Sequence, residues 1–148
     1  MPEPVTVWKV ELVRGREPID VRGTLSMSDD AIVFEDDDGA MTRLRFVDVE
    51  TAKRLRGSPV LVVRHVDRTL GETAFYFTEP PPLHPPDPAT LSLREATRRK
   101  PSQRRQRRDN TGYLAGRGRT LRPTIEGWAT ETRAKILAAR SETGRSPD

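Results

Sequence analysis

A mainly β fold, a small antiparallel barrel or sandwich, is what the first half of this 148-residue sequence predicts, and three observations carry that expectation. Short runs of alternating apolar and polar residues recur between positions 5 and 79, the period of a strand with one buried face. Turn signals separate them, among them Asp38-Gly39 and Gly57-Ser58-Pro59, and such spacing is that of a meander rather than of βαβ units. Charge then divides the chain. Residues 1–79 carry 11 basic and 15 acidic side chains, whereas residues 80–148 carry 15 basic and 7 acidic. The second half therefore has a different task from the first. It reads as a Pro-rich linker (80–90), a basic, largely disordered flexible segment (91–122), an amphipathic helix (123–142) and a disordered tail (143–148).

The strands follow in order. VTVWKVELV (5–13) alternates through Val5 and Val7, then through Val10 and Leu12; the change of phase at Trp8-Lys9 predicts a bulge. VRGTLSMS (21–28) alternates around Gly23 and ends at Asp29-Asp30. AIVFED (31–36) leads into the turn Asp36-Asp37-Asp38-Gly39 and out into MTRLRF (41–46), with Met41, Leu44 and Phe46 among polar neighbours. Asp-Gly at that position is a strong hairpin signal. VDVETAKRLRG (47–57) fits a short helix or a strand equally well. VLVVRHV (60–66) and TAFYFTE (73–79) complete the set; in the latter Phe75 and Phe77 share one face and Tyr76 takes the other.

PPPLHPPDP (80–88) has six prolines in nine positions, and repeated rings that fix φ favour a semi-rigid polyproline II spacer. Further on, Pro101 is expected to interrupt any helix from Leu91, and Gly112, Gly116 and Gly118 to prevent a long one after Asp109. A helix is predicted over 124–141. Pro123 suits its first turn, Ile125, Trp128, Thr132, Ile136 and Ala139 form one stripe at helical spacing, and Gly127 weakens it by about 1 kcal/mol. A stripe of this kind faces either the sheet's open end or a partner.

The stretch from Gly23 to Leu55, with LVVRHV and TAFYFT, resembles the pleckstrin-homology-like superfold, including its GRAM-type and bacterial relatives. Gly23, Leu25, Ile32, Phe34, Leu44, Phe46, Asp48 and Val49 match the pattern of that family. The resemblance spans residues 5–79, about half of the chain, and implies a seven-stranded bent barrel capped at one end by a C-terminal helix. It also implies a binding function, directed at phosphoinositides in some members and at peptides or protein surfaces in many. The lipid-binding loop would place Lys9, Arg14, Arg16 and Arg22 around the headgroup, but Glu11, Glu17 and Asp20 stand among them. One departure is the Pro-rich insertion before the cap, which leaves three arrangements: a helix over 89–97, the 124–141 helix folding back, or no cap.

Catalytic and metal chemistry find no constellation. The chain has no cysteine, which excludes disulfides, thiolate zinc sites and cysteine nucleophiles. His65 and His84 stand far apart, and the acidic clusters Asp29-Asp30 and Glu35-Asp36-Asp37-Asp38 sit at turns, where aspartate is favoured by local hydrogen bonding. No Ser-His-Asp order or phosphate loop occurs, so the expectation is a non-enzymatic protein with no cofactor, no metal and no small-molecule substrate. The N-terminus has no apolar h-region and no window approaches about 18 apolar residues; a cytoplasmic location is expected.

The basic segment carries the functional expectation. Nine of the 26 basic residues fall between positions 98 and 119, against one acid, Asp109. Arg98, Arg99, Lys100, Arg104, Arg105, Arg107, Arg108, Arg117 and Arg119 can neutralise phosphates, and Tyr113 adds one stacking ring. The sequence thus predicts an adaptor whose β domain makes protein contacts and whose Arg-rich region binds RNA, DNA or a ribonucleoprotein. The alternatives are a peripheral module on anionic lipid, or an assembly subunit docking through Ile125, Trp128 and Ile136. Against all three stands a solvated linker whose charge serves solubility.

Overall fold

The alternating segments are strands, and all but the fifth pair with the one before it. The structure is a computed structural model that describes residues 1–80 and 101–144, with side chains over 1–80 and 116–142. Its strands are β1 (Val5–Leu12), β2 (Asp20–Met27), β3 (Ala31–Asp36), β4 (Met41–Arg45), β5 (Val49–Arg54), β6 (Val60–His65) and β7 (Glu72–Tyr76), followed by a helix, α1 (Pro101–Gly144). The described strands form one seven-stranded antiparallel sheet in the order β4-β3-β2-β1-β7-β6-β5. β1 and β7 join the two halves of the meander, so β4 and β5, neighbours in sequence across a 3-10 turn at Phe46–Asp48, are the two edges. The ambiguous 47–57 segment is therefore mostly strand.

One expectation about local geometry is corrected. β1 pairs regularly with both neighbours, from Val5↔Leu25 to Val10↔Asp20 and from Trp8↔Tyr76 to Leu12↔Glu72, so it has no bulge at Trp8-Lys9. The change of phase arises because β1 is apolar on both faces: Val7 belongs to the main core and Val10 to a second cluster on the opposite face. The register shift falls instead in β5, between Val49 and Thr51.

The main core draws Val7, Leu25, Ile32, Phe34, Phe46, Val49, Leu61, Val63, Phe75 and Phe77 from the strands and the 3-10 turn. Phe34 lies against Gly23 of β2. A Cβ at that position would stand 2.6 Å from the Phe34 ring and 2.3 Å from the Glu35 carbonyl oxygen, so only glycine lets the ring and the neighbouring strand approach.

The larger correction concerns the helix. It begins at Pro101 rather than near Thr124 and runs to Gly144, so the backbone of 101–122, expected to be flexible, is helical; residues 91–100, like the linker from Pro81 onward and the tail from 145, lie outside the described residues. Pro101 opens the helix, a position at which its missing N–H costs nothing. Pro123, expected in the first turn, sits inside the helix and removes the hydrogen bond that Arg119's carbonyl would receive. Packing offsets these losses, as it does for most helices in proteins. Ile125, Trp128, Ala129, Thr132 and Ile136 are all buried, and the apolar ones belong to the sheet's own core. Gly118 brings the helix onto the β5–β6 turn: a Cβ there would lie 3.2–3.3 Å from the backbone of Gly57 and Ser58.

Candidate functional site

α1 crosses one end of the sheet, and charged groups fasten it there. Gly118 touches the β5–β6 turn, and further along Lys135 Nζ lies 3.8 Å from Asp29 in the β2–β3 turn. Between them Glu126 stands 3.0 Å from Arg122 of its own helix and 3.4 Å from Arg54 of β5. The hydrogen bond from Arg122, with the nearby charges of Arg122 and Arg54, holds the Glu126 carboxyl below the usual carboxylate range. Arg140 donates to the Glu50 carbonyl at 3.0 Å. Inside this frame Trp128 meets the Phe77 ring edge-on, with centroids 6.5 Å apart, and the Thr132 hydroxyl donates to the Trp128 carbonyl at 2.7 Å, which hides its polar group within the helix.

Ile125, Trp128 and Ile136, the residues expected to dock a partner, are 0, 1 and 3 % exposed in the core of their own chain. That corrects their assignment: the apolar stripe is occupied by the sheet, leaving it no free surface to offer. Of the expected polyanion contacts, Arg117 and Arg119 are exposed on α1, on either side of Gly118. Arg104, Arg105, Arg107, Arg108 and Tyr113 fall on the same helix by backbone, outside the residues whose side chains are described; Arg98, Arg99 and Lys100 lie outside the described residues altogether. The structure therefore puts most of the basic stretch on a helix whose C-terminal half is built into the β domain.

The loop of the lipid-binding resemblance is engaged elsewhere. Lys9 turns toward the core, donating to Thr42 Oγ1 at 2.9 Å with its Nζ 5.2 Å over the Phe34 ring and 3.6 Å from Glu11. Arg22 lies 3.7 Å from Asp37 and stacks 6.0 Å from the Trp8 ring. Arg14 and Arg16 are exposed. Four cations gathered around one anion is not the arrangement found.

The acidic clusters do turn chemistry. Asp36 Oδ1 accepts from the N–H groups of Asp38 and Ala40, both at 2.9 Å. Asp30 accepts from Ser28 and pairs with Arg43, and these hydrogen bonds hold its carboxyl below its ordinary range. His65 is buried, its Nε2 2.8 Å from Thr73 Oγ1 on the neighbouring strand, a satisfied core contact; His84 lies outside the described residues.

Arg54, Glu126 and Glu50 were not singled out by sequence reasoning, and Gly118 only as a helix breaker, yet they fasten the helix. Their signal is a tertiary pairing, invisible at any sequence spacing. Among the described residues no helix is long and apolar enough to cross a membrane. Compared with known proteins, the chain matches no protein-family model and no curated protein.

Proposed function

We propose that this is a non-enzymatic binding protein in which a pleckstrin-homology-like β domain makes protein contacts and holds out an Arg-rich helix that binds RNA, DNA or a ribonucleoprotein surface. The observation that carries the reading is the placement of charge: six of the nine basic residues from 98 to 119, all but Arg98, Arg99 and Lys100, lie on the described helix. Arg104, Arg105, Arg107, Arg108, Arg117 and Arg119 belong to the same helix that Trp128 anchors. Of the four helix cations beyond that stretch, Arg122, Lys135 and Arg140 have partners in the fold. A basic helix rooted at one end is preorganised for a phosphate backbone, and phosphate contacts of this kind are largely sequence-blind. Support for the pleckstrin-homology-like reading of the β domain comes from the strand order, a meander with β1 beside β7, and from the helix lying across one end.

Fluorescence anisotropy of the full chain with labelled single- and double-stranded RNA and DNA, across a salt series, tests the proposal. Expected is an affinity that falls linearly in log–log form, with a slope of about −0.7 to −0.9 per phosphate contacted. Replacing Arg104, Arg105, Arg107 and Arg108 together by alanine is expected to weaken binding at least about tenfold and to flatten that slope. No binding at low salt to any of the four probes sinks the proposal.

A further inference from the structure

The contact between α1 and the β5–β6 turn gathers positive charge at one corner of the molecule. Arg54 and Arg56 come from β5 and the turn after it; Arg117, Arg119 and Arg122 come from the helix around Gly118. A Cβ on Gly118 would lie 3.2 Å from the Ser58 carbonyl carbon and 3.3 Å from the Gly57 carbonyl group, so the two backbones touch there. Arg56 stands one residue from this contact on the turn, as Arg117 and Arg119 do on the helix.

Among the described residues one carboxylate is paired with these guanidinium groups. Glu126 lies 3.0 Å from Arg122 and 3.4 Å from Arg54, and it is fully engaged, since the buried Arg54 Nε makes no hydrogen bond. The sequence has no acid between Glu50 and Asp67 or between Asp109 and Glu126. Glu79, which follows β7 past the Phe77–Pro59 hydrogen bond, makes no ion pair among the described residues. Arg56 and Arg119 are exposed and form neither an ion pair nor a hydrogen bond among them. Like charges held together oppose the compact state, and a bound anion relieves that repulsion. Guanidinium groups match phosphate oxygens with paired N–H donors.

The helix carries the same charge onward by its backbone. Arg108 lies about 14 Å along the axis from Arg117 at 1.5 Å per residue, a span of roughly four nucleotides at 3.4 Å per step of a duplex strand. A single phosphate backbone is therefore long enough to run from the basic end of α1 to the corner.

We propose that the β5–β6 turn is part of the nucleic-acid surface, Arg56 binding a phosphate beside Arg119 so that one phosphodiester backbone bridges the β domain and α1. The inference rests on the nucleic-acid reading of the helix given above and adds a contact from the β domain itself.

Fluorescence anisotropy of the full chain with the same labelled RNA and DNA probes tests it through Arg56→Glu. Expected is binding weakened at least about fivefold, with a log–log salt slope shallower by about 0.7–0.9, the share of one phosphate contact. Arg16→Glu makes the same change of net charge and serves as the control. Its loop lies at the other end of the strands, since Trp8 and Val60 both pair with Tyr76 whereas Leu12 and Arg64 both pair with Glu72. About 17 Å of strand separates the two ends, roughly twice the screening length at physiological salt, so a loss below about twofold is expected for the control. A parent chain that binds none of the probes removes the function and this inference together. A parent that binds, and is weakened by replacing Arg104, Arg105, Arg107 and Arg108 but not by Arg56→Glu, overturns this inference alone. Equal weakening by Arg56→Glu and Arg16→Glu also overturns it, because net charge then accounts for the loss. If Arg56→Glu alters the tryptophan emission, Arg56→Gln decides: a loss of at least about threefold is expected, and parent-like binding overturns the proposal.

Discussion

Trp128 shows how much one side chain decides here. It is 1 % exposed, packs edge-on to Phe77 and shares the main core with residues from the strands. Truncation to alanine removes a large ring from a site that the surrounding strands cannot refill. Trp128→Ala is expected to cost about 3–5 kcal/mol, seen as a lower urea midpoint with little change in slope. An unchanged midpoint would place the ring outside the core. Its burial was half-legible: the spacing from Ile125 to Ile136 required an apolar surface, but only the fold reveals that the surface is this chain's own sheet. Lys9 illustrates the opposite case. Its charge suggested a ligand site, whereas the alternation of β1 turns it inward onto Thr42 and Phe34.

Among the elements, α1 departs furthest from its sequence. Local rules end a helix at Gly116, Gly118 and Pro123, each at a cost of about 1 kcal/mol for glycine and about 3 kcal/mol for proline in a helix interior. The structure keeps all three inside one helix. Gly118 is retained for contact, since a side chain there would press on Gly57 and Ser58. Pro123 is exposed and has no such duty in the described contacts, so Pro123→Ala restores a backbone hydrogen bond without disturbing the core. It is expected to raise stability by about 1–3 kcal/mol, measured as a higher Tm. A lower Tm would mean that the bend proline imposes is needed to seat Ile125 and Trp128 together. The strands behave more simply: their limits were readable to within about three residues because alternation and turn residues are local properties.

For the whole molecule, charge fixes the response to acid. Asp30, Asp67 and Glu126 have folded-state pKa values held below their ordinary range, by hydrogen bonds from Arg43 and Ser28, from Thr69, and from Arg122 together with the nearby Arg54 charge. A carboxyl whose folded pKa is depressed contributes stability above its unfolded pKa and loses it as pH falls through the folded value. Tm is therefore expected to be flat near neutrality and to decline once pH drops below about 4. Glu126→Gln is expected to lower Tm at pH 7 and to make the acid decline shallower. The effect is modest, because all three groups are at the surface and screened by solvent. An acid profile identical in wild type and Glu126→Gln would show that the Arg54–Glu126–Arg122 cluster does not contribute to fastening the helix.

By itself the sequence determined the strand segments other than β5, the hairpin at Asp36–Gly39, the apolar stripe of the helix and the concentration of arginine between 98 and 119. These follow from nearest-neighbour chemistry: side-chain alternation, turn residues and helical spacing. Tertiary structure alone decided which face of β1 is the core, that β1 pairs with β7, how far the helix extends, and that its stripe closes on this chain's own sheet. The physical reason is that both faces of β1 are apolar and the helix stripe has two acceptable destinations. Local pattern cannot choose between equivalent apolar surfaces; the choice belongs to pairing and packing between residues as distant as Arg54 and Glu126, or Glu50 and Arg140.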